Sequence, residues 1–364
     1  MATSRTRLSQ PRSMKLNPKD YTIGLICSRG PEALVPVWEF LDEEHDDSVP
    51  KSRHDCNSYT FGRIGEHNVV IAGIPEWQHP GAERVSGDMQ YTFPHIKICF
   101  LVGAGSGAPA NHDIRLGDVV VCLPSNESEG VLRGVLRYEH DGTLHTTYTG
   151  HQGEELELVA TAISSLKATY EREGHHLDKA ITDVLSKNPR LRKYQRPEAG
   201  RDRLYKSDVV HTDKRNNDCV HTYKRNKDCG LSCGNDGSKL VFRDVRSGIQ
   251  DEPVIHYGRV ASGLTPIEDA LLRDRLSQSG VLCFDTDAFK MASFPFLVVV
   301  RGICDYADTH KDSLWQGYAS FAAAAYVRDL LHKMSPGEAK TEVTPTDSLS
   351  NSWTDISSDI IVEQ

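Results

Sequence analysis

Short apolar runs rich in valine, isoleucine and leucine recur along the chain and alternate with stretches whose apolar residues fall at helical spacing. That alternation limits the fold more than any other feature, because strands that alternate with helices pack as a central sheet covered by helices. The run 20–27 is apolar and ends in Ser28-Arg29-Gly30-Pro31, so it reads as a buried strand entering a turn. Pro31 suits a first helical turn, and Leu34, Val35, Val37, Trp38 and Leu41 continue on one face. Segments 59–64 and 68–74 flank Gly65-Glu66-His67 and predict a hairpin. The run 96–102 is another buried strand, followed at once by the loop Gly103-Ala104-Gly105-Ser106-Gly107. Further strands are expected at 118–123, 131–138, 254–260, 281–284 and 296–300, and helices at 154–172, 266–276 and 317–334. The fold class is α/β: a single domain with a central mixed sheet flanked by helices, whose ligands gather at the carboxyl ends of the strands.

Polar and charged segments set the limits of that domain. Residues 1–19 are rich in Arg and Ser and free of acids until Asp20, and predict a disordered arm rather than a presequence. The domain is expected over 20–334, and 335–364 is expected to be a disordered polar tail. Within the tail Leu349, Trp353, Ile356 and Ile360 recur at helical spacing, which suits a helix that docks on a protein partner. Residues 187–250 form a basic insertion with a tandem duplication, 210–219 followed by 220–229. Two short polar copies cannot stack into a solenoid. The duplication supplies Cys219, His221, Cys229 and Cys233, thiolates and an imidazole of the kind that hold a tetrahedral structural zinc.

A formal charge of −9 argues against nucleic acid as a general partner. The nine cysteines are scattered, several in apolar runs, which fits free thiols in a reducing, cytoplasmic compartment. No stretch approaches the roughly 18 apolar residues that span a bilayer, so no membrane partner is expected.

Chemistry-bearing residues cluster where strands end. Asp305 follows an apolar strand through Arg301-Gly302-Ile303-Cys304, and a carboxyl in a partly dry pocket is expected to have a raised pKa and to donate a proton. Gly105 and Ser106 offer backbone amides and a hydroxyl to a phosphate, a ribose or a water. Arg29 offers a guanidinium to a phosphate.

Four segments in order, 21–32, 102–121, 283–287 and 300–308, resemble the nucleoside phosphorylase superfamily, which includes the methylthioadenosine/S-adenosylhomocysteine nucleosidases. The wording is most similar to a fungal branch found at the N-terminus of NACHT, ankyrin or TPR receptor proteins, some of whose members are regarded as ATP nucleosidases. The resemblance spans about residues 20–334. It implies cleavage of the N-glycosidic bond of a purine nucleoside or nucleotide, no cofactor for catalysis, and a homo-oligomer. It also implies roles. Asp305 becomes the acid that protonates the leaving purine, and Glu32 the base that activates water. Asp287 takes the place of a glutamate that holds the ribose hydroxyls, in Asp285-Thr286-Asp287 where the family has Glu-Met-Glu. Its reach is shorter by about 1.5 Å, one C–C bond. Phe284, Thr286 and Ile267 join Gly105, Ser106 and Arg29 in the implied substrate-binding set, and the base-facing segment 261–267 departs from the family's Gly-Asn-Gln or Gly-Asp-Gln at Leu264 and Thr265. A phosphorylase that uses inorganic phosphate as nucleophile, and a binding module without turnover, are the competing readings.

Overall fold

The computed structural model describes residues 16–45, 49–76, 81–123, 135–147, 154–211, 236–244, 246, 252–291, 294, 296–311 and 313–335. Cys219, His221, Cys229, Cys233, the tail stripe around Trp353 and most of the N-terminal arm lie outside these residues.

A mixed sheet of twelve strands forms the centre. Its first half contains β1 (Ile23–Cys27), β2 (Glu43–Glu44), β3 (Tyr59–Ile64), β4 (His67–Gly73), β5 (Ile98–Gly107) and β6 (Val119–Cys122). The second contains β7 (Val135–Tyr138), β8 (Leu144–Thr147), β9 (Ile255–Tyr257), β10 (Arg259–Ser262), β11 (Val281–Asp285) and β12 (Leu297–Asp305). Strand β1 runs parallel to both β4 and β5, and β5 runs parallel to β12. Every residue of β1 and of β6 is buried, which continuous apolar runs require when both faces of a sheet are covered.

The helices are α1 (Pro31–Glu39), α2 (Gly81–Thr92), α3 (Glu154–Glu173), α4 (Leu177–Lys187), α5 (Ala270–Ser277) and α6 (Leu314–Lys333). Glycines show which face each one covers. Gly24 in β1 leaves room for Met89 of α2, whereas Gly73, in register with Cys27 and so on the opposite face, receives Leu34 of α1. Gly302 in β12 lies so close to Ala319 of α6 that a Cβ there would stand 1.8 Å from the Ala319 carbonyl oxygen. Helix α6 therefore rests directly on the strand that ends in Asp305. Its alanine-rich sequence has no polar face because α1, α3, α4 and the 3-10 turn Pro189–Tyr194 surround the rest of it.

Several boundaries differ from the expected ones for identifiable reasons. The strand expected at 254–260 is two strands, because Gly258 yields to the Leu282 side chain, 2.5 Å from where its Cβ would stand, and β9 pairs with β6 while β10 pairs with β11 and β7. The helix expected from 266 begins at Ala270, where Asp269 accepts hydrogen bonds from the amides of Leu271 and Leu272. The glycine-rich loop expected at 103–107 is instead the second half of β5. It pairs with β12 from Gly103 to Ser106, and with β11 through Ser106 and Gly107. Glycine is needed there for packing: a Cβ on Gly105 would meet Cys283 Sγ at 2.7 Å, and one on Gly103 would meet Ser28 Oγ at 2.6 Å. This continuation of β5 joins the two halves of the sheet and brings the ends of β1, β11 and β12 together.

Candidate active site

Three carboxylates stand at the ends of β11 and β12, and the fold treats each one differently. Asp285 is the last residue of β11, and its side chain is nearly inaccessible. Its Oδ2 takes a hydrogen bond from Arg301 Nε at 3.1 Å and a shorter one from Arg301 Nη2, while Arg301 Nη1 reaches Ser28 Oγ. Arg301 is fully buried, and its guanidinium lies against the bare face of Gly103. This sealed unit ties β12 to β11 and to the turn after β1.

Two residues later, Asp287 is also buried but only half satisfied. Arg29 Nη2 stands 3.5 Å from Asp287 Oδ1, and among the described residues neither atom has a hydrogen-bond partner. Burial, and then the charge of Asp285, push the Asp287 carboxyl above its ordinary value against the pull of Arg301, Arg29 and Lys290. Lys290, beside it, is shifted down by its own burial. Thr286, between the two acids, is partly exposed.

Asp305, at the end of β12, faces Ser106 across the parallel ladder. Its Oδ1 receives a 2.7 Å hydrogen bond from Lys311 Nζ and a 2.9 Å bond from the amide of Ala307, and Lys311 Nζ also reaches Ser106 Oγ at 3.4 Å. Burial alone would raise the Asp305 carboxyl. The Lys311 charge, with hydrogen bonds from Lys311, Ser106 and the Ala307 amide, outweighs it and holds the group below the usual carboxylate range. The raised pKa expected for Asp305 is thus overturned, and Lys311 is the reason. The same pairing, working against burial, raises the Lys311 ammonium.

Glu32 sits in the first turn of α1, where a carboxylate is favoured by the helix N-terminus. Gln316 of α6 donates from Nε2 to Glu32 Oε1 at 2.9 Å. Gly30, at φ +94°, leaves the space into which the Glu32 carboxyl folds back, 2.7 Å from where a Cβ would be. Phe284 and Ile267 lie in an apolar cluster with Ala108, Tyr138, Ala261 and Ala307. The Phe284 ring meets Tyr138 edge-on at 6.2 Å, and Tyr138 caps the segment before α5 through its hydroxyl and the Thr265 carbonyl.

Direct contacts therefore join Asp305 to Ser106 and Asp287 to Arg29, and Ala307 lies both beside Asp305 and in the cluster that holds Phe284 and Ile267. Sequence reasoning missed Lys311, Gln316 and the burial of Arg301. Lys311 carries only a faint signal, a lysine in a short polar loop six residues beyond a candidate acid. Among the described residues no group of three or more His, Cys, Asp or Glu is placed to hold a metal ion, and no helix is long and apolar enough to cross a membrane.

No protein-family profile matches the chain. A curated protein of Hyaloscypha variabilis, described as a nucleotide-binding leucine-rich repeat (NLR)-like protein, is 34% identical over 339 residues, which is 93% of this chain. The chain spans 32% of that relative's length. Among solved structures, futalosine hydrolase of Helicobacter pylori aligns over 86% of this chain and 98% of its own, at 11% identity and a TM-score of 0.47. The 5'-methylthioadenosine/S-adenosylhomocysteine nucleosidase of Neisseria meningitidis covers 86% and 99%, at 12% identity and 0.47. The S-adenosylhomocysteine nucleosidase of Streptococcus pyogenes covers 87% and 98%, at 13% identity and 0.48.

Proposed function

We propose that the chain hydrolyses the N-glycosidic bond of a purine nucleoside or nucleotide and releases the free base. The observation that carries this reading is the unfinished contact between Asp287 and Arg29. Two opposed charged groups, both with a buried and unpartnered atom, lie next to a sealed ion pair made of the same residue types. Buried polar groups without partners are rare, and a pair of ribose hydroxyls would complete both.

The reaction follows from the other groups. As the bond between the sugar C1' and the base nitrogen breaks, positive charge gathers on the ribose, and the surrounding carboxylates favour it. A water held by Glu32 forms the new C1'–O bond and gives up its proton to that carboxylate. The departing base takes a proton from the Asp305–Lys311 pair: Lys311 Nζ gives its proton to Asp305 Oδ1 along their 2.7 Å hydrogen bond, Asp305 passes it to the base, and Lys311 is left as the neutral amine. An ionised Asp305 is compatible with this role because the pair as a whole holds the proton that is transferred. Gln316 aims the Glu32 carboxyl, and the apolar cluster around Phe284 and Ile267 offers a dry wall to the base.

The unpartnered Arg29 Nη2 also suits a phosphate oxygen and supports phosphorolysis as a second reading. The test is incubation with a panel of purine nucleosides and nucleotides, with and without inorganic phosphate, followed by chromatography for free base. Base is expected without phosphate. Asp305→Asn, which keeps the shape but cannot take up and pass on a proton, is expected to lower the rate by about a hundredfold to ten-thousandfold in a folded protein. Release only in the presence of phosphate establishes the second reading, and ligand binding with no release removes both.

A further inference from the structure

The loop that carries Asp305 and Lys311 is held from outside by the segment that reads as an insertion in the sequence. Tyr306, buried, donates from its hydroxyl to Asp202 Oδ1 at 2.5 Å and accepts from Arg243 Nη1 at 2.8 Å, and Arg243 pairs with Asp202 at 3.0 Å. The Tyr205 ring lies flat on His310, centroids 3.8 Å apart and planes 11° apart. Among the described residues neither ring nitrogen of His310 has a hydrogen-bond partner; beside the stack, Nδ1 stands 3.6 Å from Asp308 Oδ2 and the ring meets His211 edge-on. The amide of His211 donates to Thr309 Oγ1 at 2.8 Å. A bridge between Tyr205 and Leu240 joins the two flanks of the insertion into one body.

The loop needs such support. Ala307 adopts φ +52°, the left-handed region that a residue with a side chain avoids, while its amide donates to Asp305 Oδ1. Conformations of this kind persist where the surroundings over-determine them. The residues on either side, Tyr306, Thr309 and His310, are each gripped by the insertion. Arg273 of α5 adds a 2.9 Å bond to the Tyr306 carbonyl.

We infer that Asp202, Tyr205 and Arg243 are positioning residues: acting through Tyr306 and His310, they hold the 305–311 loop in the conformation that sets Lys311 and the Ala307 amide on Asp305, and so couple the insertion to turnover. The inference deepens the proposed hydrolysis and rests on it for its kinetic arm alone.

The experiment uses the full chain with Tyr306→Phe, which removes one hydroxyl and keeps the ring, and Tyr205→Ala, which removes the stack. Amide hydrogen exchange of 305–311 is expected to quicken about tenfold in each variant while β1 and α1 keep wild-type protection, the loss of one tether being local. In the base-release assay kcat is expected to fall about tenfold with KM within about twofold, because the proton-transfer groups are displaced and the ribose contacts are not. Unchanged exchange across 305–311 in both folded variants overturns the clamp. Quickened exchange with unchanged kcat, or a change confined to KM, overturns the coupling. If the wild-type chain releases no base, the proposed hydrolysis fails by itself, and the clamp stands or falls on the exchange measurement.

Discussion

Asp285 and Asp287 are separated by one residue and both are buried, yet they live in opposite electrostatic worlds. Asp285 has its cation in full contact, with the guanidinium bonded on to Ser28, and the whole unit is shut away from solvent. Asp287 faces a partly exposed Arg29 across a gap too long for a hydrogen bond, and burial holds its carboxyl above the ordinary range. A closed buried pair fixes structure, because its groups have no valence left for a ligand. An open one leaves room for a ligand to complete it. The contrast gives β11's last residue a structural part and leaves the next acid free for the ribose contact proposed above.

The largest test of this contrast is to remove the cation from each acid. Arg301→Met leaves Asp285 buried without its partner and is expected to cost about 3–5 kcal/mol of stability. Arg29→Met removes a contact that is already partial, to an acid already shifted toward its neutral form, and is expected to cost under about 1 kcal/mol. Denaturant titration at neutral pH measures both. Equal losses would erase the distinction between the closed and open pairs.

Asp305–Lys311 is intermediate, paired but partly accessible, and it sharpens the comparison through pH. The folded-state pKa of Asp305 is depressed. Its contribution to stability is therefore present above the ordinary aspartate value of about 3.9 and lost as pH falls through the lower folded value. Lys311→Met removes the cause of the depression and leaves burial to raise the group. The variant is expected to be less stable than wild type by about 3 kcal/mol near neutrality, with a deficit that shrinks as the solution is acidified below about pH 4. Denaturation midpoints measured across that range check the sign, and a deficit independent of pH would place the effect of Lys311 in packing rather than charge.

These pairs also show where sequence reading reaches its limit. Strand β1, the β3–β4 hairpin and α1 were legible because their signals are local: an apolar run, a turn glycine at φ +58° in Gly65, a proline opening a helix. Helix α4 carries Leu177, Ile181 and Leu185 at helical spacing, a readable pattern hidden beside the polar insertion. Helix α2 is fainter, since Gly87 and its polar neighbours dilute Ala82, Val85 and Met89. The glycines of β5 imitate a turn. Only Arg301 and Cys283, nearly two hundred residues away in the chain, reveal that they make room for side chains from neighbouring strands. The candidate acids could be named from strand ends and resemblance, but their protonation could not. Whether Asp305 meets Lys311, or Asp287 stops short of Arg29, depends on how two loops close, and no spacing encodes it.

The smallest expected effect returns to the first two acids and asks which of them meets the sugar. Asp287→Glu adds one methylene to the side chain whose Oδ1 has no hydrogen-bond partner among the described residues. In the base-release assay it is expected to change KM by about threefold to tenfold, roughly the worth of one hydrogen bond gained or misplaced, with little change in stability. Asp285→Glu adds the same methylene inside the sealed unit, where Arg301 and Ser28 leave no slack. There the extra volume is expected to lower stability by about 1 kcal/mol, the mild end of overpacking, and to leave KM within about twofold of wild type. The two substitutions are chemically identical and two positions apart, so a general effect of lengthening an acid near the site would act on both alike. If Asp285→Glu moved KM as far as Asp287→Glu does, the closed pair would be part of the sugar site, and Asp287 would lose its claim to the ribose.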